Sequence, residues 1–285
     1  MSPGLIIDFK KHFLFTRKFF GIRMTNFIKQ TLFRVLGLNG YLSIIQKSYL
    51  LAYKTGMLKN NKIYAWHYFV KNLLRSTDTI IDIGANLGYF AVIFKQQLGD
   101  NGKLFCVEPV EAYRKQLLKI TGTQKNITVL PFALGEENKD VITLGMPSQF
   151  ANLGYLKHGT TRIETGEDAV ADNFTFTSAL KKGSEVFASL NNLDYIKCDI
   201  EGYESIVLPE MKSLLQTHQP LVQLETWGEQ LPMMLNFFKS IGYEAYNLEN
   251  GKLTNCKNLQ LHEINTSDVL FVSPLRLERI KPFLA

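Results

Sequence analysis

The sequence is poor in cysteine, and this scarcity excludes two classes of protein. Its 285 residues include three cysteines, Cys106, Cys198 and Cys256, which are too few and too widely spaced for a disulfide framework or a zinc knuckle. Hydrophobic residues make up 46% of the chain and charged residues 20%, so it is not a disordered protein. Two of the cysteines lie in apolar runs, so we expect buried free thiols and a reducing, cytoplasmic compartment.

Acidic residues are almost missing from the first 75 positions. This segment carries 13 Lys or Arg and one acid, Asp8, whereas the remaining 210 residues carry 19 basic and 25 acidic side chains. The basic pI therefore belongs to the N-terminal segment and does not argue for nucleic-acid binding. The longest uncharged stretch within the segment has 12 residues, where a membrane span needs about 20. Its cations are mixed throughout, which does not fit a signal peptide.

Aromatic and aliphatic side chains alternate with these cations, the pattern of a basic amphipathic helix. We predict a helical N-terminal extension over residues 1–75, with breaks near residues 37–40 and Gly56 and a separate helix over residues 62–75. Two compatible roles are open. The extension can pack its aromatic side chains on the main domain as a collar, or it can make peripheral contact with the anionic inner surface of a membrane.

Strand and helix patterns alternate from residue 79 onward. Short apolar runs predict strands at residues 79–83, 103–107, 127–133, 193–198, 221–225, 243–247 and 268–273. We predict that the helix after the fourth of these strands runs to about residue 215. The alternation predicts an α/β fold over residues 76–285, a Rossmann-like, mostly parallel sheet with helices on both faces. We expect an antiparallel final pair, because no full helix separates the last two strands.

Residues 136–192 lack this alternation. They contain short β-like pieces at residues 141–144 and 174–177 and a loop-like stretch at residues 154–166. Long irregular insertions in compact domains are commonly functional. We expect this one to act as a lid or as a substrate-facing element.

The sequence DIGANLGYF follows the first predicted strand and predicts a ligand-binding turn. Gly84 lets the chain turn sharply, and Gly88 lets the next helix begin close to a bulky neighbour. A dinucleotide fingerprint would have another glycine where Asn86 stands. Asp82 lies at the strand end, where a carboxylate suits a cationic amine. The pattern favours S-adenosylmethionine, which carries an α-amine, a ribose and an adenine but no phosphate.

A second carboxylate, Glu108, ends the second predicted strand. The carboxyl ends of adjacent parallel strands meet at one edge of the sheet, where such an acid binds ribose hydroxyls. By itself Glu108 could equally be an acid at a helix N-terminus, stabilised by the helix dipole. Beside the glycine turn we favour ribose binding.

Acids are concentrated after the fourth strand, in KCDIEGYE at residues 197–204, and Glu225 ends the fifth strand. We expect Asp199 to lie beside the reactive end of the cofactor and to orient or deprotonate an acceptor hydroxyl, with Glu225 or Glu201 as the second choice. Two alternatives stay open: a divalent cation bound by these acids, or a helix capped by Glu201 and Glu204. The prediction is a site without a metal.

These blocks, in this order, resemble the FkbM family of S-adenosylmethionine-dependent methyltransferases. The matching stretches are residues 78–90, 106–117, 127–136, 193–208 and 220–226. The resemblance implies a class I methyltransferase fold with a seven-stranded sheet. It also implies methylation of hydroxyl groups, since members often act on sugars, polysaccharides or polyketides.

The resemblance also implies roles for individual residues. The methionine part of the cofactor would be surrounded by Asp82, Gly84, Asn86 and Gly88. Glu108 would hold the ribose, and Phe132 and Ala133 would lie near the adenine. The acids beside the methyl group would be Asp199 and Glu201. Substrate choice is not implied, because residues 1–75 and the insertion lie outside the shared signature.

We therefore expect an O-methyltransferase acting on a glycan or small-molecule acceptor, with no nucleic-acid partner. A nucleotide-dependent enzyme on the same fold is opposed by the missing glycine, and a non-catalytic interaction protein by the retained acids. Nucleic-acid methylation is opposed by the net negative charge of residues 76–285. His158 and His262 are additional candidate bases, although each is more simply a solvated loop histidine.

Overall fold

The computed structural model of the protein describes residues 3–122, 124–164, 170–226, 228–259, 264 and 268–285, with side chains from residue 25 onward except Asn173 and Asn258. The helices are α1 Pro3–Lys54, α2 Ala65–Phe69, α3 Tyr89–Gln97, α4 Glu111–Thr121, α5 Gly183–Val186, α6 Glu204–Glu210, α7 Lys212–His218, α8 Gln230–Ser240 and α9 Leu277–Ile280. The strands are β1 Thr79–Ile83, β2 Lys103–Val107, β3 Ile127–Leu130, β4 Phe132–Gly135, β5 Lys139–Pro147, β6 Arg162–Ile163, β7 Val170–Lys182, β8 Tyr195–Cys198, β9 Leu221–Glu225, β10 Glu244–Glu249, β11 Lys252–Asn255 and β12 Asp268–Val272.

Among the described residues, the main sheet has eight strands in the order β11-β10-β12-β9-β8-β1-β2-β3. Neighbours from β3 to β9 run parallel, whereas β12 lies antiparallel between β9 and β10. The predicted α/β fold with an antiparallel last strand is confirmed. The predicted count of seven strands is wrong by one, because Asn250 and Gly251 take positive φ values of 50° and 77°. This tight turn returns the chain as a hairpin and adds β11.

β1 lies at the point where the strand order reverses. Its neighbours are β2 on one side and β8 on the other, and each leads outward to further strands. Ligands of open α/β sheets bind at the carboxyl ends of the strands next to such a switch point. The loops that follow β1, β2, β8 and β9 therefore meet where a ligand is expected.

Helices cover both faces of the main sheet, so its central strands are apolar on both sides. In β1, Ile81 and Ile83 pack on the face covered by α6, α7 and α8, while Ile80 packs on the face covered by α3. All five residues of β1 are buried. The three cysteines are free and buried, as expected.

A second sheet has the order β4-β7-β5-β6, and three of its strands, β5, β6 and β7, lie in the predicted insertion. The β-like pieces at residues 141–144 and 174–177 lie in β5 and β7. The single strand predicted at residues 127–133 is wrong, because it is divided between β3 in the main sheet and β4 in the second sheet. Pro131 separates the two and has no N–H to donate to a ladder.

Two helix predictions also need correction. The helix expected from β8 to about residue 215 is divided into α6 and α7, because Pro209 inside α6 crowds the preceding turn and has no N–H to donate. The helix expected over residues 62–75 contains the short α2, between 3-10 turns at residues 62–64 and 70–72.

α1 is bent at Gly37, whose φ and ψ of 63° and −177° are not helical, and the chain turns again at Gly56. Both predicted breaks are present. After the bend, α1 packs Tyr41 and Leu42 against α4, the turn before α3 and the second sheet. Within the described residues, no helix is both long enough and apolar enough to span a membrane.

Candidate active site

A cleft opens at the carboxyl ends of β1, β2, β8 and β9. The predicted site residues that line it are Asp82, Gly84, Asn86, Glu108, Ala133, Asp199, Glu201 and Glu225. Gly88 and Phe132 lie outside this lining. Phe132 packs against the core, because successive residues of β4 point to opposite faces.

Gly84 turns the chain between the ends of β1 and β8. Its φ is 80°, and a Cβ built there would lie 1.9 Å from the main-chain oxygen of Asp199. Gly88, with a φ of 87°, begins α3, and a Cβ there would lie 2.9 Å from Cδ1 of Leu117 in α4. Gly84 thus allows two strand ends to touch, and Gly88 allows two helices to pack closely.

Glu108 braces the turn after β1. Its Oε2 accepts a hydrogen bond from the Asn86 N–H at 2.8 Å, and its Oε1 accepts one from the Val110 N–H at 2.8 Å. Val110 is the N-cap residue of α4, so the helix-terminus interpretation of Glu108 is also realised. Burial raises the pKa of Glu108 to about 7, and the two backbone hydrogen bonds oppose this rise.

Two buried oxygens of the same turn have no partner within the described structure. They are Oδ2 of Asp82 and Oδ1 of Asn86, whose Nδ2 donates to the main-chain oxygen of His158 at 3.3 Å. Burial raises the pKa of Asp82 to about 7, against the nearby Lys197. Unpaired buried acceptors are costly, so these two atoms are suited to a ligand that donates hydrogen bonds.

The acid cluster at the ends of β8 and β9 has its own cation. The Lys197 ammonium, buried with 2% of its side chain exposed, lies 2.5 Å from Oδ2 of Asp199. Burial acts to raise the pKa of Asp199, but the attraction of Lys197 and a hydrogen bond with Glu225 outweigh it and lower that pKa. Asp199 is therefore ionised at neutral pH.

Glu225 and Glu201 behave in the opposite way. Burial, together with the hydrogen bond to Asp199, raises the pKa of Glu225 to about 11, so Glu225 holds a proton at neutral pH. Burial and the charge of Asp199 raise the pKa of Glu201 to about 8. One carboxylate oxygen from each of the three acids lies within 4.8 Å of the others, close enough to share one cation.

Glu204 has a structural role. Its two carboxylate oxygens accept hydrogen bonds from the N–H groups of Ile200 and Gly202 at 2.8 and 2.9 Å. These bonds hold the loop in which Glu201 takes a φ of 57°. The capping alternative therefore applies to Glu204, while Glu201 lines the cleft.

Comparison with known proteins decides the family. The family model described as Methyltransferase FkbM domain matches residues 82–245 of the chain, more than half of its length. The chain belongs to the FkbM methyltransferase family. No curated protein matches it.

Solved structures similar to the chain include the methyltransferase FkbM from Methylobacillus flagellatus KT, at 17% identity and a TM-score of 0.45, over 73% of this chain and 47% of that one. Fibrillarin from Aeropyrum pernix, solved with S-adenosyl-L-methionine, has 10% identity and a TM-score of 0.40 over 73% and 72%. An S-adenosylmethionine-dependent O-methyltransferase from Thermotoga maritima has 13% identity and a TM-score of 0.38 over 72% and 63%. This chain thus spans about half the length of the Methylobacillus protein.

FkbM methyltransferases take S-adenosylmethionine as cofactor, and the described residues fit it. Oδ2 of Asp82 and Oδ1 of Asn86 are two buried acceptors without a partner in the described residues, which suits a ligand with an amine. Each oxygen of Glu108 accepts one hydrogen bond from the backbone and has a second lone pair for a ribose hydroxyl. Ala133 lines the cleft, as its predicted place near the adenine requires.

Part of the cleft wall comes from outside the family match. Tyr64 and His67, from the segment before β1, line the cleft, and neither was singled out from the sequence. The His67 ring stacks on Phe90 at 4.3 Å, and its Nδ1 is buried without a partner in the described structure. Burial lowers the pKa of His67 to about 3, so its ring is neutral. In the sequence, the aromatic-rich segment around His67 is the only signal that could have indicated its place in the cleft wall.

His158 is not the solvated loop histidine that the sequence suggested. It lines the cleft, with its Nε2 lying 3.3 Å from the Tyr89 hydroxyl. Burial lowers its pKa to about 4, which keeps the ring neutral. His262, the other candidate base, lies outside the described residues.

Proposed function

We propose that the protein transfers a methyl group from S-adenosylmethionine to a hydroxyl oxygen of a sugar, a polysaccharide precursor or a small-molecule natural product. The observation that carries the proposal is the cluster of Asp199, Glu201 and Glu225, which shares one cleft with the cofactor residues Asp82 and Glu108. Carboxylates accept hydrogen bonds from hydroxyl groups and can take their protons. The acceptor class follows the habit of the family.

Asp199 is our choice for the residue that binds the acceptor hydroxyl. It is ionised beside Lys197, yet 34% of its side chain is exposed to the cleft. A hydrogen bond from the hydroxyl to Asp199 would fix the direction of the oxygen lone pair that attacks. The bound cofactor supplies a methyl carbon already activated by a positively charged sulfur. A strong base is therefore not needed at the start of the reaction.

The hydroxyl proton needs a destination once the new carbon–oxygen bond forms. We assign it to Asp199, whose neighbour Glu225 already holds a proton and shares a hydrogen bond with it. Glu201 is the second choice. We propose no metal, since the Lys197 ammonium and the proton on Glu225 already offset most of the negative charge of the cluster.

The second sheet supports a role in closing the site. Thr161, Arg162 and Ile163, on and next to β6, line the same cleft as the acids. We propose that residues 136–192 cover the acceptor and exclude water during transfer. The buried thiols support a cytoplasmic location, and the acidic balance of residues 76–285 supports an acceptor other than a nucleic acid.

Cofactor binding is tested first, by calorimetric titration of the protein with S-adenosylhomocysteine. We expect micromolar binding that Glu108→Ala weakens at least tenfold, about 1.4 kcal/mol, since the ribose loses its carboxylate. Glu111→Ala, on the exposed side of α4, is the matched control and should bind normally. Binding of NADH instead would favour the dinucleotide enzyme. Binding of neither ligand by folded protein would favour the interaction protein.

The acceptor is tested with cofactor carrying a labelled methyl group. Glycans, sugar nucleotides, RNA and DNA are offered separately, and label is expected in a sugar hydroxyl. Asp199→Asn should reduce kcat by at least about a hundredfold while leaving S-adenosylhomocysteine affinity unchanged. Asp100→Asn, an exposed control outside the cleft and outside residues 136–192, should be fully active. Label found only in RNA or DNA, or an active Asp199→Asn variant, would contradict the proposal.

A further inference from the structure

Exposed apolar side chains are concentrated in residues 25–75, called here the N-terminal segment. Among the described residues, seven of the large exposed hydrophobic side chains lie in it: Phe27, Ile28, Val35, Leu36, Leu51, Met57 and Ile63. Four lie in the rest of the chain: Leu118, Val141, Met233 and Leu275. The segment supplies 51 of the 285 residues, so its apolar exposure far exceeds its share of the molecule.

The same segment is strongly positive. It contains eight Lys or Arg and no acid, and the 24 residues before it add five cations and one acid. The exposed cations of the segment are Arg34, Lys47, Lys54, Lys59, Lys62, Lys71 and Arg75. None of them forms an ion pair with a residue in the described part of the chain. Exposed apolar groups and cations without an ion-pair partner in the described residues therefore share one segment of the chain.

One helix face shows this combination most clearly. Phe27, Arg34 and Val35 are seven and eight residues apart, which places them on one side of α1. Phe27 and Val35 are 69% and 74% exposed. The opposite side is held by the protein: Oδ1 of Asn26 accepts a hydrogen bond from the Tyr155 hydroxyl at 3.0 Å, and the Phe33 ring meets Phe174 edge-on. The exposed face is thus presented by a helix that is fixed in place.

We propose that this face of α1 binds an anionic lipid surface. Amphipathic helices with apolar side chains on one face and cations at its edge lie in the interface of such membranes. The charge decides between lipid and a second copy of the chain. Two such faces brought together would place uncompensated cations against each other, whereas anionic headgroups would neutralise them. The inference concerns a surface outside the cleft and does not depend on the proposed reaction.

The test is sedimentation of the full chain with two kinds of vesicle. One contains phosphatidylcholine alone, and the other contains equal amounts of phosphatidylcholine and anionic phosphatidylglycerol. We expect binding to the anionic vesicles only, and release at high salt. F27E/V35E should reduce the bound fraction at least tenfold. M233E/L275E places the same charges on two other exposed apolar residues, outside the N-terminal segment, and should bind like the unchanged protein. Unchanged S-adenosylhomocysteine affinity shows that each variant is folded.

Three results would overturn the proposal. The first is no binding to anionic vesicles. The second is an equal loss in both double variants, which would mean that any added acid has the same effect. The third is a dimer in sedimentation velocity that F27E/V35E dissociates, since the face would then be an interface between copies. R34Q/K47Q is a second test variant, because it removes positive charge without placing an acid on the apolar face. Its bound fraction on anionic vesicles should also fall.

Discussion

The two halves of the cleft are built in different ways. One half, called the cofactor half after its proposed role, consists of residues within 27 positions of one another, on β1 and in the turns that follow β1 and β2: Asp82, Gly84, Asn86 and Glu108. The other half, called the acceptor half after its proposed role, has lining residues spread over more than 160 positions: Tyr64, His67, Asp199, Glu201 and Glu225. Backbone hydrogen bonds shape the first half, and packing between distant elements shapes the second.

The two halves also differ in whether the protein supplies a cation for their carboxylates. In the cofactor half, burial raises the pKa of both Asp82 and Glu108 to about 7, so each carboxylate gains from a ligand that brings hydrogen-bond donors or positive charge. In the acceptor half, Lys197 belongs to the protein and keeps Asp199 ionised. The cofactor half is completed by its ligand, whereas the acceptor half has its own counter-charge.

Gly84→Ala is expected to have the largest effect, because this residue joins the two halves. The new Cβ would lie 1.9 Å from the main-chain oxygen of Asp199, and the φ of 80° would be strained for alanine. We expect loss of S-adenosylhomocysteine binding in calorimetry and a lowered Tm. Gly159→Ala is the matched control, since Gly159 also lines the cleft but has no neighbour within 4 Å of an added Cβ. Equal behaviour of the two variants would contradict the strand-contact argument.

Lys197→Met separates the halves. It removes the buried cation and leaves Asp199 beside two other acids, so the free energy of unfolding should fall by about 3–5 kcal/mol at neutral pH. Denaturant unfolding measures this loss. Lys103→Met, at an exposed position of β2, should change stability by less than about 0.5 kcal/mol. If Lys197→Met is as stable as Lys103→Met, the ion pair with Asp199 does not hold the acceptor half together.

The carboxyl groups of the cofactor half should make both stability and ligand affinity depend on pH. The pKa values of Asp82 and Glu108, about 7, exceed their unfolded values, so the folded protein without ligand binds more protons between about pH 4 and 7. Its free energy of unfolding should therefore fall as the pH rises through this window. S-adenosylhomocysteine affinity should rise about three- to tenfold between about pH 6 and 8, because its ammonium group prefers ionised Asp82.

Asp82→Asn is the control for that pH profile. It removes one of the two titrating carboxyls while keeping the shape of the side chain. Calorimetric titrations across the same pH range should show a flatter rise for this variant. An unchanged profile would mean that Asp82 does not face the ammonium group of the ligand.

Gln46→Ala should have the smallest effect, because Gln46 supports the cofactor half from outside. Its buried Nε2 donates to the main-chain oxygens of Leu87 and Gln116 at 2.7 and 2.8 Å. Losing these bonds should lower the free energy of unfolding by about 1–3 kcal/mol and weaken cofactor binding modestly. Gln96→Ala, at an exposed position of α3, is the control. No difference between the two would show that α1 does not stabilise the turn.

The cofactor half could be predicted from the sequence because its geometry is local. Gly84, Asn86 and Glu108 have spacings that only a strand, a tight turn and an adjacent strand satisfy. The fold followed from the same alternation, with errors where Pro131 and Pro209 interrupted apparently continuous elements. Neither proline has a backbone N–H to donate. Pro131 divides one predicted strand between two sheets, and Pro209 divides one predicted helix into two.

The acceptor half could be predicted only in part. Asp199, Glu201 and Glu225 follow predicted strands and were expected at the cleft. Tyr64, His67 and His158 carry no strand-end signal, and their positions depend on how α2 and the second sheet pack. The protonation states were equally out of reach, because they depend on burial and on the distance between Lys197 and Asp199.

The position of β12 bears on the order in which a growing chain can fold. This strand lies between β9 and β10, although it follows both in the sequence. A nascent chain that has emerged through β11 therefore cannot join its last hairpin to β9, and it leaves the edge of β9 unpaired. The main-chain oxygen of Asp268 in β12 also accepts a hydrogen bond from the Trp66 indole N–H at 3.1 Å. The segment before β1 therefore cannot make this contact until β12 is in place. Stalled or truncated chains that lack β12 are thus the species we expect to aggregate through an open strand edge.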